Sequence, residues 1–198
     1  MGPSIKSDCT DCDRVGDTFV GDNPVIMSEK YVFIRNPKTA STSWANSLQS
    51  VDPQAHRLGG PHNILHDTMK ELPKVRAVVV RNPYDRIVSL WFGQGAPGNM
   101  LSWLTKKSEE PSGPGLDIMR VPQMAWANQC NRVMRFENIE HEYEDFCLLV
   151  GLDHKPLMFK NKSDGRDGAH YRDVLSSVTR RIVEDRFAPD FYRFKYEW

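Results

Sequence analysis

The segment from Tyr31 to Trp44, with the sequence YVFIRNPKTASTSW, constrains the fold more than any other part of the chain. Its apolar run predicts a buried strand that ends at an Asn-Pro pair, and the small hydroxylated residues after Lys38 predict a tight loop that opens a helix. Such a loop gathers backbone N–H groups at the positive end of a helix dipole, here beside an ammonium group. The segment therefore predicts a site for a phosphate-like anion.

A second strand-to-helix turn follows at residues 75–92. The β-branched run Val75–Val80 predicts a central strand buried on both faces, and Asn82-Pro83 predicts the start of a helix. Arg81 ends the strand and Ser89 lies two turns into the helix. Because ligands bind at the carboxyl ends of parallel strands, the two turns together predict a bipartite site for a nucleotide with phosphate groups at both ends.

Strands alternate with helices along the chain, which predicts an α/β fold with three layers and a central parallel sheet. Residues 1–28 are expected to form an irregular N-terminal arm or edge element, and residues 29–198 a single domain. The Gly/Pro-rich segment 93–115 is expected to be lid-like and to select the substrate. Further elements are expected as helices at about 63–72, 101–107, 140–150 and 178–187, and a strand at 133–136.

The charge balance argues against two classes of partner. The chain has 26 basic and 26 acidic residues, so neither nucleic acid nor a membrane surface is an expected partner. No apolar run approaches the ~18–20 residues that span a bilayer, and the polar N-terminus lacks the apolar core of a signal peptide. The expected location is the cytoplasm, or the Golgi lumen if the sequence is trimmed from a longer chain.

Four cysteines raise the question of a metal site. Cys9 and Cys12 form a close pair, but Cys130 and Cys147 are sixteen residues apart, whereas a zinc ribbon needs two close pairs. We therefore expect no metal, with Cys147 buried on the apolar face of a helix.

The two turns resemble segments of a known enzyme family. PKTASTSW resembles the 5′-phosphosulfate-binding loop of sulfotransferases that use 3′-phosphoadenosine 5′-phosphosulfate (PAPS), and RNPYDRIVSLW resembles their 3′-phosphate-binding segment. The order and spacing resemble the carbohydrate branch of the family, which acts on heparan- and chondroitin-type chains. The resemblance implies a P-loop-like strand-loop-helix that binds the phosphosulfate, although the Walker pattern itself is absent.

The resemblance also implies roles for individual residues. Lys38 would stabilise the charge that grows on the leaving 5′-phosphate during in-line sulfuryl transfer, and no metal would be needed. Arg81 and Ser89 would bind the 3′-phosphate. The 5′ group would be held by the residues of the loop and first helical turn: Thr39, Ala40, Ser41, Thr42 and Ser43.

The attacking hydroxyl needs a base, and the family usually places a histidine or glutamate between the two phosphate segments. His66 fits that pattern first and His62 second, while the alternative is that neither acts as the base. In the loop FKNKSDGRDGAHYR, the residues Lys162, Ser163 and Arg166 are either cofactor contacts or part of a solvated turn.

Three further expectations concern single positions. Ala40 stands where many relatives have glycine, so we expect its φ to be negative. Trp44 and Trp91 are expected in the core, whereas Trp103 is left open as a ring that could stack on adenine or a sugar. Glu137 is expected to orient a loop or to pair with Arg135.

The sequence thus predicts a PAPS-dependent sulfotransferase that produces 3′-phosphoadenosine 5′-phosphate (PAP) and acts on a hydroxyl of a saccharide or small molecule. Two alternatives remain, a small P-loop-like kinase and a non-catalytic nucleotide-binding module. The kinase lacks support because the Walker glycines and a Mg²⁺-ligand pattern are missing. Acceptor identity and oligomeric state are left open.

Overall fold

The computed structural model describes residues 25–58, 73–105, 121–158, 166 and 168–198. Within these ranges the chain forms a mixed sheet of five strands in the order β3-β1-β2-β4-β5. The strands are β1 (Val25–Met27), β2 (Tyr31–Ile34), β3 (His56–Leu58), β4 (Val75–Val80) and β5 (Arg132–Arg135).

Three adjacent strands of the sheet run parallel, and the other part of the sheet is antiparallel. β2, β4 and β5 run parallel, with Phe33 paired to Ala77 and Val78 paired to Val133. β1 is antiparallel to both β2 and β3, so the prediction of a parallel sheet holds for three strands and is wrong for the other two. Only residues 28–30 join β1 to β2, and a connection this short permits an antiparallel pair alone. β1 also lies inside the segment that was expected to be irregular.

The predicted helices in the described ranges form, with ends that agree to within about two residues. The helix predicted at 63–72 lies outside the described residues, as does the region 106–120. The helices are α1 (Ser41–Val51), α2 (Pro83–Gly93), α3 (Met100–Thr105), α4 (Met124–Ala127), α5 (Ile139–Leu149), α6 (Tyr171–Val174), α7 (Ser177–Arg186) and α8 (Ala188–Phe194), with a 3-10 turn at Phe136–Asn138.

Helices cover both faces of the sheet, which confirms the three layers. On one face Phe33 stacks on Trp44 of α1 at 5.2 Å, and Phe146 of α5 packs on the same indole. On the other face Val78 shares a buried cluster with Trp126 of α4. Consecutive residues of a strand pack on opposite faces of the sheet, because successive side chains point to opposite sides.

The aromatic C-terminal residues pack back onto α2 and α6. Trp198 meets Tyr84 of α2 edge-on at 4.8 Å and Tyr171 of α6 at 5.4 Å. Cys147 is fully buried on α5, as predicted. Cys9 and Cys12 lie outside the described residues.

Candidate active site

Two adjacent parallel strands end in the same tripeptide, Arg-Asn-Pro, at residues 35–37 and 81–83. Since Ile34 pairs with Val78, the two turns emerge side by side at the carboxyl edge of the sheet. The Asn36 amide donates to the Val79 carbonyl at 2.9 Å and so ties the first turn to β4.

The first turn contains two residues in the left-handed region. Lys38 has a φ of 63° and Ala40 a φ of 55°, so the expectation of a negative φ at Ala40 is wrong. Only six residues separate β2 from α1, and the Thr39 hydroxyl donates to the Asn36 carbonyl at 2.8 Å within them. This tight reversal forces the left-handed residues. Left-handed residues in a turn of this kind are typical of an anion-binding nest, in which successive backbone N–H groups face one side.

The residues predicted for the 5′ group divide into two sets. The first hydrogen bond of the α1 ladder runs from Trp44 N–H to the Ala40 carbonyl at 3.1 Å, so the three preceding helical N–H groups point out of the helix end. Lys38, Ala40 and Thr42 are partly exposed there. The remaining side chains are buried and belong to the scaffold of the turn: Thr39, Ser41 and Ser43.

Arg81 links the second turn to the first. Its Nη1 donates to the Lys38 carbonyl at 3.1 Å, and its Nε donates to Asp85 Oδ2 at 2.7 Å. The guanidinium lies 4.0 Å from the centroid of the Phe136 ring. The structure therefore brings Lys38 and Arg81, predicted from separate motifs, into one site.

Asp85 joins a third cation to this site. Its Oδ1 accepts a hydrogen bond from Arg166, whose Nε also donates to the Ala169 carbonyl at 2.9 Å. Burial alone would raise the pKa of Asp85, but Arg81 and Arg166 outweigh it and hold that pKa below its ordinary value. Arg166 therefore lies at the site. The candidate bases and the other predicted residues of the Arg166 loop lie outside the described ranges: His62, His66, Lys162 and Ser163.

One face of α2 runs along the site. Asp85, Ser89 and Gly93 are spaced by four residues and therefore share a face of the helix, with Arg81 one step before them. Ser89 is buried, with 4% of its surface exposed. The Lys38 ammonium reaches the far end of this row, beside Gly93. Burial and the nearby Arg81 charge lower the pKa of Lys38.

Arg35 is a cation of the site that the sequence reasoning missed. Arg35 is buried, with 5% of its surface exposed, and its Nη2 donates to the Thr42 hydroxyl at 3.0 Å. Among the described residues its Nε has no hydrogen-bond partner. Burial and then Arg57 lower the pKa of Arg35. The repeated Arg-Asn-Pro was the available signal, because it puts Arg35 and Arg81 at equivalent strand ends.

Gln123 is a second residue that the sequence did not reveal. Its Oε1 accepts from Arg81 N–H at 2.9 Å and from the Asn36 amide at 3.0 Å, and its Nε2 donates to the Arg81 carbonyl at 2.7 Å. Gln123 is fully buried. It therefore holds the two turns at a fixed separation, although it lies in a short loop that carries no motif.

The tryptophans and Glu137 have structural roles here. Trp44 is fully buried, and Trp103 is buried in an apolar cluster with its Nε1 donating to Gln94 at 2.9 Å, so Trp103 packs in the core. Glu137 accepts from Asn82 N–H at 2.6 Å and from the Tyr196 hydroxyl at 2.9 Å, which confirms that it orients a loop. The alternative, a pairing with Arg135, does not form, because that guanidinium donates to the Phe194 carbonyl instead.

Comparison with known protein families identifies the family of the chain. A family model described as the Sulfotransferase family matches residues 23–197, nearly the whole chain, and the chain belongs to that family. Neither the curated proteins nor the solved structures gave a significant match.

Two observations apply to the described residues alone. None of their helices is both long and apolar enough to cross a membrane. Over the same ranges, no group of three or more His, Cys, Asp or Glu side chains is arranged to hold a metal ion.

Proposed function

We propose that the protein transfers a sulfuryl group from PAPS to an acceptor hydroxyl, with a saccharide as the acceptor. The observation that carries this proposal is the joining of Lys38 to Arg81, through one hydrogen bond, at the ends of two parallel strands. The site combines an ammonium group, guanidinium groups, a hydroxyl and a backbone nest, all of which recognise anions. These groups fit a donor with a phosphosulfate at one end and a phosphate at the other.

In the proposed reaction the acceptor oxygen bonds to sulfur while the bond from sulfur to the 5′-phosphate oxygen breaks. The proton of the acceptor passes to a base, and the products are a sulfate ester and PAP. Negative charge grows on the bridging oxygen, so the Lys38 ammonium stabilises the transition state more than the ground state. Arg81, Ser89 and Arg166 would hold the 3′-phosphate, and the N–H groups of residues 39–43 the 5′ group.

The base and the acceptor rest on the family resemblance. His66 is the first candidate base and His62 the second, because the family places a base between the two phosphate segments. The saccharide acceptor follows from the resemblance to the carbohydrate branch.

Thermal unfolding with PAP, compared with ATP·Mg²⁺, tests the proposal. PAP at ~100 times its dissociation constant should add ~2.7 kcal/mol to the free energy of unfolding. Stabilisation by ATP·Mg²⁺ without stabilisation by PAP would instead support the P-loop-like kinase.

Sulfate transfer from labelled PAPS to a panel of glycans and small alcohols then separates an enzyme from a binding module. Lys38→Ala should lower kcat by about 10²–10³-fold, as removal of a charge-stabilising group does, with a much smaller change in PAP affinity. Lys74→Ala, at an exposed position, is the matched control. Equal losses of kcat and PAP affinity in Lys38→Ala would contradict the role assigned to Lys38.

A further inference from the structure

Gly93 is a glycine whose backbone does not require it. It is the last residue of α2, and its φ lies outside the left-handed region. Alanine is favoured over glycine inside helices by about 1 kcal/mol, so helix formation does not explain the residue. The reason for a glycine must therefore lie in the space around it.

The space beside Gly93 is occupied by the Lys38 side chain. A Cβ built on Gly93 would lie 2.5 Å from Lys38 Nζ and 3.5 Å from its Cε, which among the described residues are its nearest contacts outside the helix backbone and the adjoining residues. The clash involves the flexible end of a long side chain. An added methyl group would therefore move the ammonium and leave the backbone in place.

The backbone of Lys38 is held in place, so the position of its Cα is fixed and only the side chain can move. Arg81 Nη1 donates to the Lys38 carbonyl at 3.1 Å, and the residue has a φ of 63°. Within the described ranges no carboxylate lies at ion-pair distance from Nζ. The ammonium is thus positioned by shape and by the negative end of the α2 dipole, and its charge stays available to an anion.

We propose that Gly93 is a positioning residue: its missing side chain forms the seat that places the Lys38 ammonium one helical turn beyond Ser89. The consequence for turnover rests on the proposed function, whereas the position of the ammonium does not. A displacement of about 1 Å at a reacting group costs on the order of 10²-fold in rate. Any side chain larger than hydrogen at position 93 should therefore impair sulfuryl transfer.

The first experiment follows the ammonium without any assay of activity. The rate at which trinitrobenzenesulfonate labels Lys38 is measured against pH by mass spectrometry, with exposed Lys74 as the internal reference. In Gly93→Ala the labelling profile of Lys38 should move toward that of Lys74, because the ammonium leaves its desolvated seat. Coincident Lys38 profiles in wild type and Gly93→Ala would overturn the proposal.

Gly95→Ala is the matched control. Gly95 has a φ of 78°, and a Cβ there would meet nothing within 4 Å. This substitution should lower the Tm through backbone strain and leave the labelling of Lys38 unchanged. A profile that shifts equally in both variants would show a general loosening of the chain and would also overturn the proposal.

The second experiment measures turnover. Gly93→Ala should lower kcat by roughly 10- to 100-fold while PAP affinity changes by less than about threefold, since the lost interaction acts in the transition state. In a Lys38→Ala background the same substitution should have no further effect. A similar loss of kcat in both backgrounds would overturn the proposal. A wild-type protein that transfers no sulfate would contradict the proposed function alone, because the labelling experiment still tests the seat.

Discussion

At the scale of single residues, the first turn holds both strain and an uncompensated charge. Lys38 and Ala40 are both left-handed, a conformation that costs roughly 1–2 kcal/mol for a residue with a Cβ. Lys38 is also partly desolvated, and none of the described carboxylates pairs with it. Strain and unpaired charge of this kind concentrate at functional sites, where binding or catalysis makes use of them.

Lys38→Met should stabilise the protein in the absence of ligand. Burial and Arg81 lower the pKa of Lys38 below 10.5, so the unfolded chain binds that proton more tightly than the folded protein does. The stability of the wild type therefore rises with pH between the lowered pKa and 10.5. Lys38→Met should raise the free energy of unfolding by about 0.5–2 kcal/mol, as other substitutions that relieve functional strain do. This gain should be complete at neutral pH and should shrink as the pH rises through that window.

Urea denaturation of both proteins at a series of pH values measures this effect. Lys195→Met, at an exposed position, is the control and should change little. If the stabilisation by Lys38→Met instead increased with pH, the pKa of Lys38 would be raised by folding, which would contradict this prediction.

Ala40→Gly should also stabilise the protein. Glycine relieves the cost of a φ of 55°, and the greater entropy of the unfolded chain offsets part of the relief, so the expected gain is about 0.5–1 kcal/mol. Ala45→Gly, within the same helix, is the matched control and should lose about 1 kcal/mol or more. Thermal unfolding decides the matter, and destabilisation by both variants would exclude strain at Ala40.

At the scale of elements, α2 organises the charges of the site. Asp85, Ser89 and Gly93 follow one another at intervals of four, so the helix presents them in a row, and Arg81 lies just before the helix begins. The sequence alone suggested Arg81 and Ser89. The tertiary structure adds Asp85, which contacts Arg166, and Gly93, which lies beside the Lys38 ammonium.

Asp85→Asn should destabilise the ligand-free protein by about 1–3 kcal/mol, because it leaves two partly buried arginines without a countercharge. PAP should restore more of the Tm in this variant than in the wild type, since its phosphate supplies the missing charge. Asp145→Asn, in an exposed ion pair, is the control and should stay within about 0.5 kcal/mol. Equal shifts with PAP in wild type and Asp85→Asn would contradict a phosphate site at these arginines.

At the scale of the whole molecule, one buried amide connects distant parts of the chain. Gln123 bonds to Asn36 and to both backbone groups of Arg81, and its own N–H donates to Asp190 of α8 at 2.8 Å. Burial raises the pKa of Asp190, while bonds from the backbone N–H groups of Gln123 and Met124 oppose that rise. The separation of the two turns thus depends on a C-terminal helix far away in the sequence.

Gln123→Glu should lower the free energy of unfolding by about 3–5 kcal/mol at neutral pH. The substitution replaces the amide group that donates to the Arg81 carbonyl and to Asp190 with a carboxylate oxygen, which cannot donate. Burial would raise the pKa of the new carboxyl, so the cost grows as the pH rises above about 4.3 and is smallest in acid. Denaturation at pH 5 and pH 8 measures it against the wild type. Gln54→Glu, on an exposed turn, is the control, and a cost independent of pH would contradict the buried network.

The sequence by itself determined the local elements that build the site. β-branched and apolar runs predicted β2, β4 and β5, and cap residues with proline predicted the start of α2, because these signals act between neighbours in the chain. Lys38, Arg81 and Ser89 could be singled out for the same reason, since each lies within a short motif.

Only the tertiary structure decided how those elements are joined. The Arg166–Asp85 contact, the Gln123 network and the seat of Lys38 against Gly93 all depend on residues far apart in the sequence. No local pattern encodes such contacts, because their free energy comes from packing and hydrogen bonds that exist only once the chain has folded.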